Sequence, residues 1–390
     1  MFSQNINFKN FPVTKKSKVK KFFLELKKEY LNGKNLLLSS LSQKYKYSFS
    51  QKIFKTFKKY KTIRIIGMGG SILGSQAINS FLKSKIKKKF IFLNNLELKE
   101  KKIGLNKTLN IVISKSGNTL ETLVNLSHLK INKNTIFITE KKNSYLRQIA
   151  ENLKCEIIEH KNYIGGRYSV LSEVGMLPAQ LMSLNEKKFK QLNNLIKNES
   201  FIKALINNVE STLLYIKKGQ SNSIILNYDE DSQDLFYWYQ QLISESLGKK
   251  SKGILPIISS MPKDNHSLLQ LYLDGPKDKF FTFFSVKDKK SIKLNNKLVI
   301  DYQYYLKNKS IGQVIESQKK ATQNVFFQKK IPFRNIEVKN RNEESIGELF
   351  CFFMLETILL GRALGVNPFD QPSVELVKTQ TKKYLVNSKK

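Results

Sequence analysis

Hydroxyl groups and one lysine are concentrated in a short turn after an apolar run, in the stretch IVISKSGNTLET that begins at Ile111. Ser114, Ser116 and Thr119 supply the hydroxyls, and Lys115 supplies a positive charge. The spacing predicts a strand, a loop and the start of a helix, and the first turn of a helix leaves backbone N–H groups free to bind an anion. We interpret the turn as a phosphate-binding loop. The alternative is that its hydroxyls cap an ordinary helix.

Glycines follow the first predicted strand in IIGMGGSILGSQAI, at Gly67, Gly69, Gly70 and Gly74. They allow the backbone to turn tightly and allow a helix beginning near Ser71 to approach a ligand. The spacing matches neither the Walker A lysine pattern nor the dinucleotide fingerprint, so nucleotide binding is disfavoured. A tight turn without a ligand is the alternative.

Two charged side chains lie where they can assist a reaction. Arg167 follows two glycines in YIGGRYS, where a guanidinium can reach a developing oxyanion, and its alternatives are a salt bridge or a solvated loop. Glu245 lies near the end of a predicted aromatic helix, DLFYWYQQLISESLGKK. Burial near the helix end would raise the pKa of its carboxyl group enough for the carboxylate to abstract a proton. The alternative is a solvated surface glutamate, as most helical glutamates are.

Three residues of the second half, His266, Gln371 and Lys378, give no individual sign of a functional role. His266 lies in MPKDNHSLLQLYLDGP, where Asp264 or Asn265 is the expected N-cap and the histidine falls in the first helical turn. Gln371 and Lys378 lie in NPFDQPSVELVK, where they read as a turn residue and a surface lysine.

The composition allows two globular domains, since the 390 residues are 41% apolar and 11% aromatic. The formal net charge is +37, from 68 Lys and Arg against 31 Asp and Glu. We discount specific nucleic-acid or membrane binding because the lysines are scattered through the whole chain, as a compositional bias would produce. Such a surface would still attract a phosphorylated small molecule.

Cysteines and apolar runs bear on location. Cys155 and Cys351 lie in apolar stretches without CxxC or Cys/His spacing, so we expect buried free thiols and no metal site. The first residues lack the pattern of a signal peptide, and the late apolar run from Leu349 is closed by Glu356. A cytoplasmic protein with no membrane segment is expected.

The pattern of apolar runs predicts an α/β protein with two parallel-sheet domains. The expected order is a helical N-terminal segment over 1–60, a first α/β domain over 61–183, a linking helix over 184–204, a second α/β domain over 205–364 and a helical C-terminal tail over 365–390 that contributes to the active site. Strands are predicted at 63–66, 90–93, 111–113, 136–138, 156–158, 223–226, 253–258, 280–284 and 335–338.

Six motifs in one order, GMGGSILG, SKSGNTLET, GGRYSVLSEVG, QQLISESLGK, DNHSLLQLYLDGP and NPFDQPSVELVK, resemble the glucose-6-phosphate isomerase (phosphoglucose isomerase) family. The resemblance covers about 63–378. GGRYS and NPFDQ with the later VE and K are specific to that family, whereas the serine loop is shared with other sugar isomerase (SIS) domains. The resemblance implies two doubly wound SIS-type domains and a homodimer. It also implies an active site between the domains that interconverts glucose 6-phosphate and fructose 6-phosphate without metal or cofactor.

The resemblance also assigns roles by matching positions. Glu245 matches the base that moves a proton between carbons 2 and 1, His266 matches the ring-opening residue, which family members contribute across the dimer interface, and Arg167 matches the enediolate-stabilising cation. The remaining matches are Ser114, Lys115, Ser116 and Thr119 in the phosphate loop, Gly70 and Ser71 in the turn beside the sugar, Gly166 next to the arginine, and Gln371 and the catalytic Lys378 in the C-terminal part.

Two features depart from the family pattern: Pro372-Ser373 replaces a usual glycine before Val-Glu, and the chain is shorter than the larger members. Shortened surface segments with intact catalysis are expected. One alternative is an isomerase that also accepts mannose 6-phosphate. Another is a non-catalytic SIS-domain sensor of a sugar phosphate, which has no need for Glu245, His266, Arg167 and Lys378 together.

Overall fold

The computed structural model describes residues 3–9, 18–96, 108–129, 131–287, 291–298 and 301–388. Two five-stranded sheets form its framework, and helices cover their faces. The predicted α/β class is therefore confirmed. Each of the predicted strands is present, with bounds that differ by a few residues.

The first sheet is entirely parallel and has the order β3-β2-β4-β5-β6. Its chain starts in the interior of the sheet, adds β3 on one side and then crosses to the other side for β4. The carboxyl ends of β2 and β4 therefore flank a topological switch point, where α/β sheets bind ligands. The strands are β2 Thr62–Ile66, β3 Lys89–Leu93, β4 Thr108–Ile113, β5 Thr135–Thr139 and β6 Glu156–Glu159.

The second sheet has the order β1-β10-β9-β7-β8. Four strands are parallel, and the N-terminal strand β1 pairs antiparallel with β10, so that Ile6 faces Val338. The sequence predicted only helices in the first 60 residues. A strand of four residues whose partner lies more than 300 residues away leaves little local pattern to detect. The strands are β1 Ile6–Lys9, β7 Asn222–Asn227, β8 Leu255–Ser260, β9 Lys279–Val286 and β10 Phe333–Val338.

Fourteen α-helices lie within the described ranges. They are α1 Val19–Leu31, α2 Leu36–Ser39, α3 Gln51–Phe57, α4 Leu73–Phe81, α5 Leu120–Ser127, α6 Tyr145–Asn152, α7 Glu173–Leu181, α8 Leu192–Leu195, α9 Glu199–Lys217, α10 Gln233–Leu247, α11 Leu269–Asp274, α12 Ile311–Gln328, α13 Glu343–Leu364 and α14 Val374–Asn387.

The largest apolar cluster joins the two halves of the chain, because α4 from the first half packs on α10 from the second, and α10 packs on α13. Phe81, Phe236 and Phe353 represent the three helices in this cluster. A hydrogen bond of 3.1 Å from Gln76 to Asp234 also joins α4 to α10. Helix α10 is thereby held between the two sheets, with its C-terminal end near the loops of the first sheet.

Two local expectations differ from the structure. The stretch over 184–204 is not one helix: it contains a 3-10 turn, the short α8 and the beginning of α9. Asn198 caps α9, because its side chain accepts a hydrogen bond of 2.9 Å from the Phe201 N–H. Cys351 is buried as expected, but Cys155 is only half-buried because it lies in the turn before β6. The C-terminal extension is helical as expected, since α14 follows the stop at Asn367-Pro368.

His160, directly after β6, is a buried titratable group. Its backbone N–H donates to the Thr139 carbonyl at 2.8 Å, and its ring Nδ1 lies 3.1 Å from the carbonyl oxygen of Lys161. A carbonyl can only accept, so Nδ1 carries the proton of the neutral ring. Nε2 is buried and has no hydrogen-bond partner among the described residues. Burial lowers the pKa of His160 from 6.5 to about 4, because the charged ring would lose its hydration.

We therefore expect stability to fall as the pH drops from 6.5 to about 4, because over this interval the unfolded chain binds a proton at this position and the folded chain does not. The loss is on the order of 1–3 kcal/mol. Denaturant unfolding at pH 7 and pH ~4.5 measures it. The His160→Asn variant should lose less stability than the wild type between the two pH values, and an equal loss would contradict the assignment.

Candidate functional site

The hydroxyl-rich loop after β4 is closed by its own side chains. The hydroxyl oxygens of Ser114 and Thr119 lie 2.9 Å apart, and Ser114 Oγ accepts from the Gly117 N–H at 3.1 Å. Thr119 occupies the N-cap position of α5, but its side chain makes no capping hydrogen bond. The hydroxyls are therefore arranged around the loop rather than along the helix end, which leaves first-turn N–H groups of α5 without a capping side chain.

Lys115 and Ser116 complete this loop. Lys115 Nζ donates to the Asn162 carbonyl at 2.7 Å and lies 3.6 Å from Glu140 Oε1. Ser116 Oγ accepts from the Asn118 N–H at 3.2 Å. Burial lowers the pKa of Lys115, and the nearby Glu140 carboxylate opposes that shift. The lysine thus connects the loop to the segment that leads into the second glycine cluster.

The two glycine-containing turns meet directly. Gly70 lies in the 3-10 turn Gly69–Ser71 after β2, and α4 begins only at Leu73, two residues later than predicted. A Cβ atom at Gly70 would lie 2.1 Å from the carbonyl carbon of Gly166 and 2.5 Å from the Arg167 nitrogen. Only glycine permits this approach. The contact brings the predicted residues Gly70, Ser71, Gly166 and Arg167 into one place.

The Arg167 guanidinium is buried and uses all five of its N–H groups. Nε donates to Ser246 Oγ at 2.8 Å, and Nη1 donates to Glu245 Oε2 at 3.2 Å and to the Gln371 side chain. Nη2 donates to the carbonyl oxygens of Pro368 and Asp370 at 2.8 and 2.9 Å. The structure therefore joins the predicted residues Arg167, Glu245 and Gln371.

Glu245 lies near the C-terminal end of α10, as predicted, with 29% of its side chain exposed. Its Oε1 accepts a hydrogen bond of 2.9 Å from Gln241 Nε2, one helical turn earlier, and its Oε2 contacts Arg167. Gln241 Oε1 is buried without a partner among the described residues. The sequence analysis did not select Gln241, although its spacing of four residues from Glu245 places both on one helical face.

His266 and Lys378 lie apart from this cluster. His266 ends the 3-10 turn Lys263–His266 and is exposed, and α11 begins only at Leu269. The expected N-cap is wrong, because the Asp264 carboxylate instead accepts from the Ser260 N–H at 2.7 Å. Lys378 is 66% exposed on α14 and pairs with Glu375 at 2.7 Å. Within the described ranges, no hydrogen bond or ion pair joins either residue to Arg167 or Glu245.

A half-open cavity of about 470 Å³ adjoins the cluster. Lys115, Gly165, Tyr168 and Phe369 line one side of it, and residues 34–37 line another. Among the residues that the structure describes, no group of His, Cys, Asp and Glu side chains is arranged to hold a metal ion. No described helix combines the length and apolar composition needed to cross a bilayer.

The arrangement combines a hydroxyl-rich loop suited to a phosphate group with a carboxylate fixed beside a buried guanidinium. Both lie at the carboxyl ends of strands in a doubly wound sheet. These features define the class of phosphosugar-binding α/β proteins with SIS-type domains.

Comparisons with known proteins narrow the class. A family model described as phosphoglucose isomerase matches residues 38–260. A probable glucose-6-phosphate isomerase of Methanococcus maripaludis is 34% identical over 391 residues, covering 93% of this chain and 87% of that relative. A glucose-6-phosphate isomerase of Methanocaldococcus jannaschii is 34% identical over 344 residues, with coverage of 83% and 84%. The chain belongs to the phosphoglucose isomerase family.

Solved structures support the fold. A hypothetical protein from Thermus thermophilus superposes with a TM-score of 0.82 at 23% identity, covering 94% of both chains. A glucose-6-phosphate isomerase from Chlamydia trachomatis superposes with a TM-score of 0.71 at 19% identity, covering 87% of this chain and 72% of the other. The two-sheet architecture is thus shared with proteins of low sequence identity.

We expect Gly70→Ala to force the two glycine turns apart, because its Cβ would overlap the backbone of Gly166. The cost is roughly 1–3 kcal/mol in the free energy of unfolding. Denaturant unfolding measures the cost, and the emission of the single tryptophan, Trp238, reports the displacement because its indole N–H donates to the Arg167 carbonyl at 3.1 Å.

Gly165→Ala is the matched control, since its Cβ would meet only the Tyr168 ring at an ordinary 3.6 Å. Similar stability and emission for the two variants would show that the Gly70 contact does not hold the turn.

Proposed function

We propose that this chain catalyses the reversible isomerisation of glucose 6-phosphate and fructose 6-phosphate, by ring opening and proton transfer through a cis-enediolate. As an aldose–ketose isomerase it acts in glycolysis and gluconeogenesis, for which we propose a cytoplasmic location. Family membership and the relatives named glucose-6-phosphate isomerase support this activity.

The observation that carries the proposal is the contact between Glu245 and Arg167, with Nη1 and Oε2 3.2 Å apart. An aldose–ketose exchange requires one base that reaches two adjacent carbons and a fixed cation that faces the enediolate oxygens. Gln241 holds one carboxylate oxygen of Glu245 while Arg167 contacts the other. The carboxylate plane is therefore fixed before substrate arrives, which lowers the cost of orienting the base.

The remaining roles divide between the non-reacting phosphate and the sugar. Ser114, Lys115, Ser116 and Thr119 would bind the phosphate through hydroxyls, backbone N–H groups and one positive charge. Gly70, Ser71 and Gly166 would allow the sugar to approach the backbone. Gln371 and Lys378 would close the site from the C-terminal side, and His266 would open the ring.

We expect Glu245→Gln to reduce kcat by at least ~100-fold while the KM for fructose 6-phosphate changes little, because the amide keeps the shape of the side chain but cannot take a proton. A coupled assay of glucose 6-phosphate formation measures both constants.

The control is Glu151→Gln, which alters an exposed glutamate paired with Arg147 at 2.8 Å and should keep wild-type turnover. Absence of turnover in the wild type would refute the proposed activity. Near-normal turnover of Glu245→Gln would refute only the assigned base.

We further propose a homodimer in which His266 completes the site of the partner subunit. Two observations support this arrangement: His266 is exposed, and within the described ranges no hydrogen bond or ion pair joins it to Arg167 or Glu245. Helix α14 gives a second support, because it has no buried residue and exposes a set of apolar side chains. These are Val374, Leu376, Val377, Tyr384, Leu385 and Val386.

Mixing inactive subunits tests the shared site. Glu245→Gln and His266→Ala homodimers should each be nearly inactive. Random exchange of equal amounts makes about half of the dimers mixed, and each mixed dimer has one of its two sites with both native residues. Exchange should therefore restore about a quarter of the wild-type activity. Mass spectrometry confirms the exchange. Exchange without recovered activity would place Glu245 and His266 of one site in the same subunit.

A further inference from the structure

Lys190 is a charged residue that the proposed reaction does not use, although it is almost completely buried, with 2% of its surface exposed. It directly follows the 3-10 turn Glu186–Phe189. Most lysines of this chain keep their ammonium groups in water, as the free energy of hydration demands. A lysine that is buried must find partners for its N–H groups inside the protein.

Backbone carbonyl groups and aromatic rings provide those partners. Lys190 Nζ donates to the carbonyl oxygens of Ser40 and Leu171. It also lies 4.9 Å from the ring centroid of Tyr45 and 5.0 Å from that of Tyr47, distances at which aromatic rings attract a cation. Two hydrogen bonds and two rings thus enclose the amino group.

A buried carboxylate balances this charge. Glu173, at the start of α7, is fully buried and accepts hydrogen bonds from the Tyr45 hydroxyl at 2.9 and 3.1 Å and from the Ser48 N–H at 2.8 Å. The segment from Ser40 to Ser48 is therefore held by Lys190 on one side and by Glu173 on the other.

The Leu171 carbonyl connects Lys190 to the functional site. Leu171 is the last residue of the 3-10 turn Gly166–Leu171, whose second residue is Arg167. The other end of this turn is held by Trp238, which donates to the Arg167 carbonyl at 3.1 Å. Any movement of the C-terminal end of so short a turn is transmitted to Arg167, because interiors are close-packed.

We propose that Lys190 is a positioning residue for Arg167: its amino group ties the segment 40–48 to the C-terminal end of the turn that carries the guanidinium. The expected effect of Lys190 on catalysis rests on the proposed isomerase function, whereas its expected effect on the position of the 3-10 turn Gly166–Leu171 does not.

The protonation state does not remove this connection. Burial lowers the pKa of Lys190 to about 7, while the negative charges of Glu173 and Glu186 and the nearby Cys351 thiol act in the opposite direction. A neutral amine still has two N–H groups, which is the number that the two carbonyl oxygens require. The Ser40 and Leu171 contacts are therefore retained on both sides of neutrality.

The test compares two buried lysines. Lys190→Met keeps an unbranched apolar side chain, one atom shorter than that of lysine, and removes the N–H donors. Lys319→Met makes the same change in α12, where Lys319 is 3% exposed and contacts Ser285 and Glu316 beside the second sheet. Both variants should lose stability, since both leave polar groups unpaired.

Only Lys190→Met should shift the emission maximum of Trp238 and lower kcat by roughly 10-fold with little change in KM, since Arg167 acts on the enediolate and the phosphate loop is intact. Wild-type emission and kcat in Lys190→Met would overturn the proposal, as would equal losses in Lys319→Met.

If Lys190→Met does not fold, Lys190→Gln serves instead. Its side chain is also one atom shorter than that of lysine but keeps N–H donors, and we expect the amide to reach only one of the two carbonyl oxygens. We expect a smaller shift in emission and a loss of roughly threefold in kcat, and wild-type values of both would overturn the proposal. If the wild-type protein shows no isomerase turnover, the proposed function fails, but the emission of Trp238 still tests the position of the turn.

Discussion

A guanidinium can be buried only when its N–H groups are bonded, because removing the charge from water otherwise costs several kcal/mol. Arg167 meets this condition with partners from two separate parts of the chain: Ser246 and Glu245 on α10, and the segment 368–371, which offers the Gln371 side chain and the carbonyl groups of Pro368 and Asp370. The position of one side chain thus depends on the packing of the second half of the molecule against the first.

The two sheets supply the rigidity that this contact requires. Helix α10 is held by α4 on one side and by α13 on the other, and α13 is buried along most of its length. The turn after β2 meets the Arg167 turn at Gly70, where no side chain fits between the two backbones. The Glu245 carboxylate is therefore held by a packed helix and by hydrogen bonds from Gln241 and Arg167, which is the rigidity that its proposed role as a base for two carbons requires.

Positive charge has two different roles in this molecule. Among the residues that the structure describes, most lysines are exposed, and together they form a diffuse positive field that attracts anions. The buried cations Arg167 and Lys190 act instead through hydrogen bonds to carbonyl and side-chain oxygens. Because burial makes each such bond obligatory, these two side chains determine backbone positions, which the surface lysines do not.

Local pattern in the sequence was sufficient for nine of the ten described strands and for helix α10, since their apolar spacing reflects burial on one or two faces. Motif order was sufficient for the family, and the loop chemistry at Ser114 to Thr119 was readable because hydroxyls followed a strand. Tertiary structure decided the strand β1, the interrupted helix over 184–204 and the acceptors around Arg167. Each depends on a partner distant in the chain, as β1 does on β10 and Arg167 on Asp370, and a linear pattern carries no information about which distant groups meet. The roles of Gln241 and Lys190 could not be predicted from the sequence for the same reason. Each depends on its hydrogen-bond partner in the folded chain, the Glu245 carboxylate for Gln241 and the Leu171 carbonyl for Lys190.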